Sequence, residues 1–553
     1  MVSWNHIFPL LLQILIALNA IALPTQSGPS VHLDQATVTG TTNGSLDTFL
    51  GIPYAQPPVG NLRLQLPQLI QSYTGNLDAT KFGNQCLQQA GLSLQDLPPQ
   101  VLLDLAPLIA LLAQTQNANV TQSEDCLYLN IIRPANVSAN AKLPVLFWIY
   151  GGGFADGSNG ILAYNGTTLV QRSIELNEPV IYVALNYRLN VFGFLGGKEV
   201  KQAGLGNLGL QDQRAALRWV NKFISAFGGD PSKVTIWGES AGSISVFLHL
   251  FANGGNTEGL FRAGMMSSGF SLPTGDITEV QDEYDFVVNQ VGCSNARDTL
   301  ACLRTVPADQ LQAAANNTPA VGTFAGLVSP FLPRADGRFV TLPPMYLPLL
   351  GTVADVPVIT GDVKDEATLF SLGSLNITTD DEFASYVSQY WFPGTSPADL
   401  SSVLLLYPSD PAAGSPFDTG SAYALTPQYK RIAALQGDWF FNGPRRQFLD
   451  RFSATRTMYN FLSARGGFPD VGDFHGSDTF NALGGGDMGD YFIRFINHLN
   501  PNAPTGVQWP PYRTSSRSTL QFNDGSVPLN VTADIQRLAG TDELTALALL
   551  FPL

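Results

Sequence analysis

The chain has 553 residues, more than one hydrophobic core usually serves, so length alone favours two or more domains. Its composition, 45% hydrophobic and 13% charged, is ordinary for a globular protein. A net charge of −15, a pI near 4.7 and the lack of a Lys/Arg run argue against nucleic acid as a partner.

The first feature in chain order is an apolar run from Phe8 to Leu18, followed by Ala20, Ala22 and Pro24. It predicts a secretory signal over residues 1–22, cut after Ala20 or Ala22, because a membrane anchor needs a longer apolar span. Ala36 to Gly40 and Leu46 to Ile52 read as strands of a hairpin around Asn43-Gly44. The Pro/Gly-rich stretch from Gly51 to Gly60 reads as a surface loop.

Cys86 and Cys126 flank an unusual segment. Leu92 to Leu97 leads to Pro98-Pro99, and Val101 to Leu112 then reads as one or two short helices kinked near Pro107. Its only charges are Asp96 and Asp104, so it is apolar nearly all round. It is either a buried core helix or a flap that meets a lipid surface.

Leu127–Ile132, Pro144–Tyr150 and Val180–Leu185 read as strands, the last two buried on both faces. Gln211 to Phe227 reads as a helix ended by Gly228-Gly229-Asp230-Pro231. Val234–Trp237 is a strand and Ala241–Phe251 a helix, and later strands fall at Val356–Thr360 and Thr457–Leu462. This alternation means an α/β fold with a largely parallel sheet.

Two patterns bear on compartment. Four cysteines allow three pairings, and nearness in sequence favours Cys86–Cys126 and Cys293–Cys302. No histidine lies near either pair, so no metal site is expected. Sequons at Asn43, Asn119, Asn136, Asn165, Asn316, Asn376 and Asn530 agree with secretion.

The chemistry centres on Gly238-Glu239-Ser240-Ala241-Gly242, a G-x-S-x-G between a strand and a helix. Such a turn holds its serine in a strained backbone and lifts the hydroxyl to the carboxyl edge of a sheet, beside the free N–H groups of the next helix. A nucleophilic serine needs a base, an acid to orient it and an oxyanion hole. His6 leaves with the signal, His32 precedes the serine, and His249 is nine residues along the helix from Ser240, about 13 Å away. His498 follows a helical pattern, whereas His475 sits in a loop that can present an imidazole, so His475 is favoured. Asp362, Asp365 and Glu366 all follow a strand, and spacing does not choose among them. The Gly151-Gly152-Gly153 turn suits an oxyanion hole.

With these motifs, Ser123-Glu124-Asp125-Cys126-Leu127, Tyr150-Gly151-Gly152-Gly153-Phe154, Asn186-Tyr187-Arg188 and Gly206 to Gln213, the chain resembles the type-B carboxylesterase/lipase family over nearly the whole mature length, most of all its fungal secreted lipase and sterol esterase branch. The resemblance implies an α/β-hydrolase fold: a large, mostly parallel central sheet, helices on both faces, and a lid within 86–126 anchored by a disulfide. It implies one domain over 23–553, both disulfides, and no metal or organic cofactor. It implies Ser240 as nucleophile, Glu366 as acid, His475 as base, and an oxyanion hole of the Gly152, Gly153 and Ala241 amides. The chain departs from the branch at Leu64, where an aromatic is usual, and in its very apolar lid.

The expected function is a secreted, extracellular carboxylic ester hydrolase working through an acyl-enzyme, a lipase or sterol esterase on long-chain esters. Its alternatives are a short-chain or feruloyl-type esterase and, more remotely, a non-catalytic binding module. The expected partners are a small-molecule or lipid ester and a lipid–water interface met by the lid. The apolar lid would fold over Ser240 in water or pair with a second copy in a homodimer.

Overall fold

The computed structural model describes residues 28–92, 97–115 and 120–553. The expected signal segment, Asn119 and residues 93–96 and 116–118 of the apolar segment lie outside the described residues. The first strands are β1 (Ser30–Leu33), β2 (Gln35–Thr39), β3 (Thr41–Asn43), β4 (Leu46–Pro53), β5 (Thr74–Asp78), β6 (Tyr128–Pro134) and β7 (Leu143–Ile149). Next come β8 (Ile181–Leu185), β9 (Gly229–Glu239), β10 (Ala263–Ser267), β11 (Val358–Val363), β12 (Met458–Ala464), β13 (Ser518–Asn523) and β14 (Leu529–Ala533).

Eleven strands form one sheet in the order β14-β13-β12-β11-β10-β9-β7-β8-β6-β4-β3. The run from β13 to β8 is parallel, and β14 at one edge and β6, β4 and β3 at the other are antiparallel. β1, β2 and β5 make a separate three-stranded sheet.

The central strands read as unbroken apolar runs because both faces are covered. Phe147, Ile149 and Ile236 face one core, and Trp148 and Trp237 face the other. Successive side chains of a strand point to opposite faces, so neighbours in sequence serve different cores. Trp148 and Trp237 meet edge to face with centroids 4.7 Å apart. A third, smaller cluster lies under the segment between Cys86 and Cys126.

One sequence expectation needs correction, and two are sharpened. Leu46–Pro53 does form a hairpin, but its partner is β3, with Asn43 opposite Leu46. The residues expected to pair with it, Ala36 to Thr39, belong to β2 and pair with β1 and β5 instead. The apolar segment forms helices α1 (Pro99–Asp104) and α2 (Ala106–Thr115), and the break falls at Leu105. Pro107 sits in the first turn of α2, where its missing N–H costs nothing. The helix expected to end near Phe227 runs from Leu208 to Phe223 and finishes as a 3-10 turn, Ile224–Phe227, capped by left-handed Gly228.

The topology positions the site. β9, β11 and β12 are parallel, and the loops that follow them leave the same edge of the sheet. Ser240 follows β9, Glu366 follows β11 and His475 follows β12.

Candidate active site

Ser240 stands between β9 and the helix Ala241–Phe251 with φ 56° and ψ −125°, a conformation that strains any residue with a Cβ. The turn closes only because both flanking glycines lack side chains. A Cβ on Gly242 would lie 1.9 Å from the Ile149 carbonyl oxygen, and one on Gly238 2.2 Å from the Gly242 carbonyl carbon. The Ser240 amide donates to the Ser267 carbonyl at 2.9 Å, pinning the turn to β10.

The Gly151–Gly153 turn abuts this elbow. A Cβ on Gly151 would come within 2.8 Å of Ser240 Cβ. Gly152 and Gly153 have φ of 105° and 61°, and the Gly152 carbonyl accepts from the Ala155 and Asp156 amides. Gly152, Gly153 and Ala241 all line the cavity that holds Ser240.

His475 Nδ1 lies 2.6 Å from Glu366 Oε2, and the Val363 amide donates to Glu366 Oε1 at 2.8 Å. The imidazole packs between Phe370 and Phe441, with centroids 5.0 and 4.9 Å away. Burial pushes the Glu366 carboxyl up and the His475 imidazole down, because each charged form loses solvation in this apolar setting.

Geometry separates the three acids that spacing left open. Asp362 pairs with Arg445 Nε at 2.6 Å. Asp365 accepts from Ser415, the Phe417 amide and the Asp473 amide, which ties the loop after β11 to the loop after β12. Of these three, Glu366 is the one paired with His475. The other histidines stand elsewhere: His498 is exposed near Glu178, His249 is buried against Gln213, and His32 lies on β1 near Thr37.

Ser240, Glu239 and His475 share a cavity of about 380 Å³ with Ile244, Leu327, Leu332, Phe440, Phe441 and Leu112. Its walls are mostly apolar, and its size suits a small or medium organic ligand. Leu112 comes from α2, which also touches the 3-10 turn Leu162–Tyr164 on one side of the mouth. On the other side Leu105 and Leu108 pack against Leu372, Tyr429, Val471 and Phe474, the last next to His475 in sequence. Among the described residues no group of three or more His, Cys, Asp or Glu is arranged to hold a metal ion.

Comparison with known proteins accords with this geometry. A model of the carboxylesterase family matches residues 27–535. The chain belongs to the carboxylesterase family. Lipase 2 of Diutina rugosa is 41% identical over 518 residues, covering 91% of this chain and 93% of that protein. Secreted lipase 1 of Botryotinia fuckeliana is 41% identical and covers 87% of each chain. The crystal structure of Aspergillus niger EstA superposes with a TM-score of 0.76 at 27% identity, covering 95% of this chain and 99% of that one. This carboxylesterase has the α/β-hydrolase fold and is a carboxylic ester hydrolase.

Two motifs that carried the resemblance hold this carboxylesterase together rather than reach the cavity. Arg188 of Asn186-Tyr187-Arg188 makes a buried two-pronged pair with Asp212, at 2.7 and 2.8 Å. Arg63 pairs with Glu124 at 2.6 Å, beside the Cys86–Cys126 disulfide. The Cys293–Cys302 disulfide is also present. Sequence reasoning missed two acids of the site. Glu239 and Asp478 are buried around His475, and both were legible only as parts of motifs already assigned to their neighbours.

Proposed function

We propose that this chain is a secreted serine lipase or sterol esterase that hydrolyses long-chain acyl esters through Ser240, His475 and Glu366. The observation that carries the reading is the His475–Glu366 contact of 2.6 Å behind a strained serine in one apolar cavity. Ser240 Oγ attacks the ester carbonyl as His475 Nε2 takes its proton. Glu366 fixes the tautomer through Nδ1–H and stabilises the imidazolium. The amides of Gly152, Gly153 and Ala241 hold the oxyanion. Collapse expels the alcohol, which takes the proton from Nε2, and water then cleaves the acyl-serine by the same steps in reverse.

A lid and a lipid surface deepen the reading. α1 and α2 bridge both walls of the mouth, anchored at the base by Cys86–Cys126. Leu103 on their outer face is 69% exposed. A lipid interface would give such a surface a partner and favour the open form. A second copy covering the same face is the alternative partner. The names of relatives, among them the secreted triacylglycerol lipase LIP1 of Gibberella zeae at 38% identity, support lipid esters and export. The apolar run at Phe8–Leu18 and exposed sequons at Asn43, Asn136, Asn165, Asn316 and Asn376 support a secreted glycoprotein. The reading treats residues 23–553 as one domain, since its three reacting residues come from distant parts of the chain.

The test is a rate series over acyl chain length, with a sterol ester and a hydroxycinnamate ester included, on wild type and Ser240→Ala. Rates should rise with chain length and fall by about 10⁴- to 10⁶-fold in the variant. Rates that fall with chain length, or a preference for the hydroxycinnamate, would instead make it a short-chain or feruloyl-type esterase. Activity retained in Ser240→Ala would end the serine mechanism.

A further inference from the structure

A separate cavity of about 420 Å³, the size of a small-molecule site, lies toward the β14 edge of the sheet, against β12, β13 and β14. Side chains alternate along β13. Leu520 and Phe522 enter the core behind the sheet, and Thr519, Gln521 and Asn523 line the cavity. In the antiparallel ladder Thr532 of β14 stands opposite Thr519, and Asn530 opposite Gln521. Residues opposite each other in a ladder share a face, so Asn530 stands on the cavity side with them. β14 is the outermost strand, which leaves this rim open.

The wall describes its occupant. Its cations already have acids: Arg445 and Arg446 share Asp534, Lys364 pairs with Asp418, and Arg537 pairs with Asp438. A phosphate or carboxylate would have to displace those acids. Beside the pairs stand neutral donors and acceptors, Asn442, Thr519, Gln521, Asn523, Thr532 and Gln536. Such a wall suits an uncharged ligand rich in hydroxyl and amide groups, as a sugar is.

Asn530 brings a sugar to that rim. Asn530-Val531-Thr532 is an Asn-x-Thr sequon. Asn523 Nδ2 donates to the Val527 carbonyl at 3.3 Å and to Asn530 Oδ1 at 2.7 Å. The Val527 carbonyl can only accept, which fixes both amides. The Asn530 oxygen faces Asn523, and Nδ2, the atom a glycan joins, points away from it.

We propose that Asn530 carries an N-linked glycan whose innermost N-acetylhexosamine packs into this cavity. The proposal rests on the reading of the chain as secreted. During export Asn530 Nδ2 bonds to the anomeric carbon of a lipid-linked oligosaccharide. The lipid diphosphate leaves with the electron pair of the broken C–O bond, and Nδ2 gives up a proton. The effect reaches the reacting side of the molecule. Val363, whose amide donates to Glu366, and Asp473, whose amide donates to Asp365, also line the cavity. A sugar seated there braces the end of β11 and the loop after β12.

The experiment uses protein secreted by a eukaryotic host. Glycopeptide mapping should find Asn530 occupied. The native protein is then treated with an endoglycosidase that cuts between the innermost sugars, and release at Asn530 is compared with release at the exposed Asn43 and Asn136. A docked form favoured about tenfold leaves about a tenth of the molecules open to the enzyme, so release at Asn530 should be about tenfold slower. Denaturation should erase the difference. Gln521→Trp puts an indole where the sugar would sit and leaves the sequon whole. It should bring release at Asn530 up to the rate at Asn43, whereas a glycan slowed only by its place on β14 would stay slow. Asn530→Gln should lower the melting midpoint more than Asn43→Gln does. A bare Asn530 beside occupied sequons elsewhere, or a glycan released as fast as that on Asn43, overturns the proposal and leaves the secreted reading standing. A chain retained in the cell with no glycan at any sequon overturns that reading as well.

Discussion

Leu108→Ala separates a lid from a core helix. Leu108 is 1% exposed and packs with Leu105, Val471 and Phe474 in a cluster apart from the two cores that cover the sheet. Truncating so buried a leucine costs about 2–5 kcal/mol. Because the cluster is separate, the loss should fall on the docked position of α1 and α2 rather than on the whole fold. Even 2 kcal/mol moves the ratio of docked to undocked forms about 30-fold. The assay is hydrolysis of a long-chain ester below and above its solubility limit, beside a dissolved short ester. The variant should cleave the dissolved long ester faster than wild type and gain less from an emulsion. Its short-ester kcat/KM should hold, since Leu108 does not line the cavity with Ser240. Equal losses on both esters, with a melting midpoint lowered by about 2–4 °C or more, would make the segment a core helix and end the lid reading.

Glu366→Gln keeps the shape of the acid but can leave His475 in the wrong tautomer, so kcat should fall about 10⁴-fold with little change in KM; steady-state kinetics checks this. Burial lowers the His475 pKa, so its neutral, working form should persist below pH 6.5; a wild-type acid limb of kcat/KM above that value would contradict the assigned burial. Gly242→Ala forces a Cβ to 1.9 Å from the Ile149 oxygen, and active-site titration with a phosphonate should find little competent Ser240. Arg445→Met leaves Asp362 and Asp534 buried without their shared cation and should destabilise by about 3–5 kcal/mol in denaturant melts.

The fold class and most of the site could be read from the sequence because they rest on local rules. Unbroken apolar runs such as Pro144–Tyr150 and Val180–Leu185 can only be strands covered on both faces, and G-x-S-x-G between strand and helix needs its glycines to turn at all. His475 followed by elimination and chain order. What local rules could not supply was contact between distant segments. β10 has a weak pattern, Ala263-Gly264-Met265-Met266-Ser267, and becomes a strand because β9 and β11 pair with it on either side. Ala36 to Thr39 alternates like a hairpin strand, yet β1 and β5 compete for it and win. Asp362 lies at the end of β11, not after it as expected, and Asp365 and Glu366 follow the strand, yet their positions alone do not rank them; one meets an arginine, one ties two loops and one meets the histidine. Glu239 was in view as part of the motif, but its place at Nε2 depends on the fold bringing the loop after β12 beside the end of β9, across 236 residues of chain.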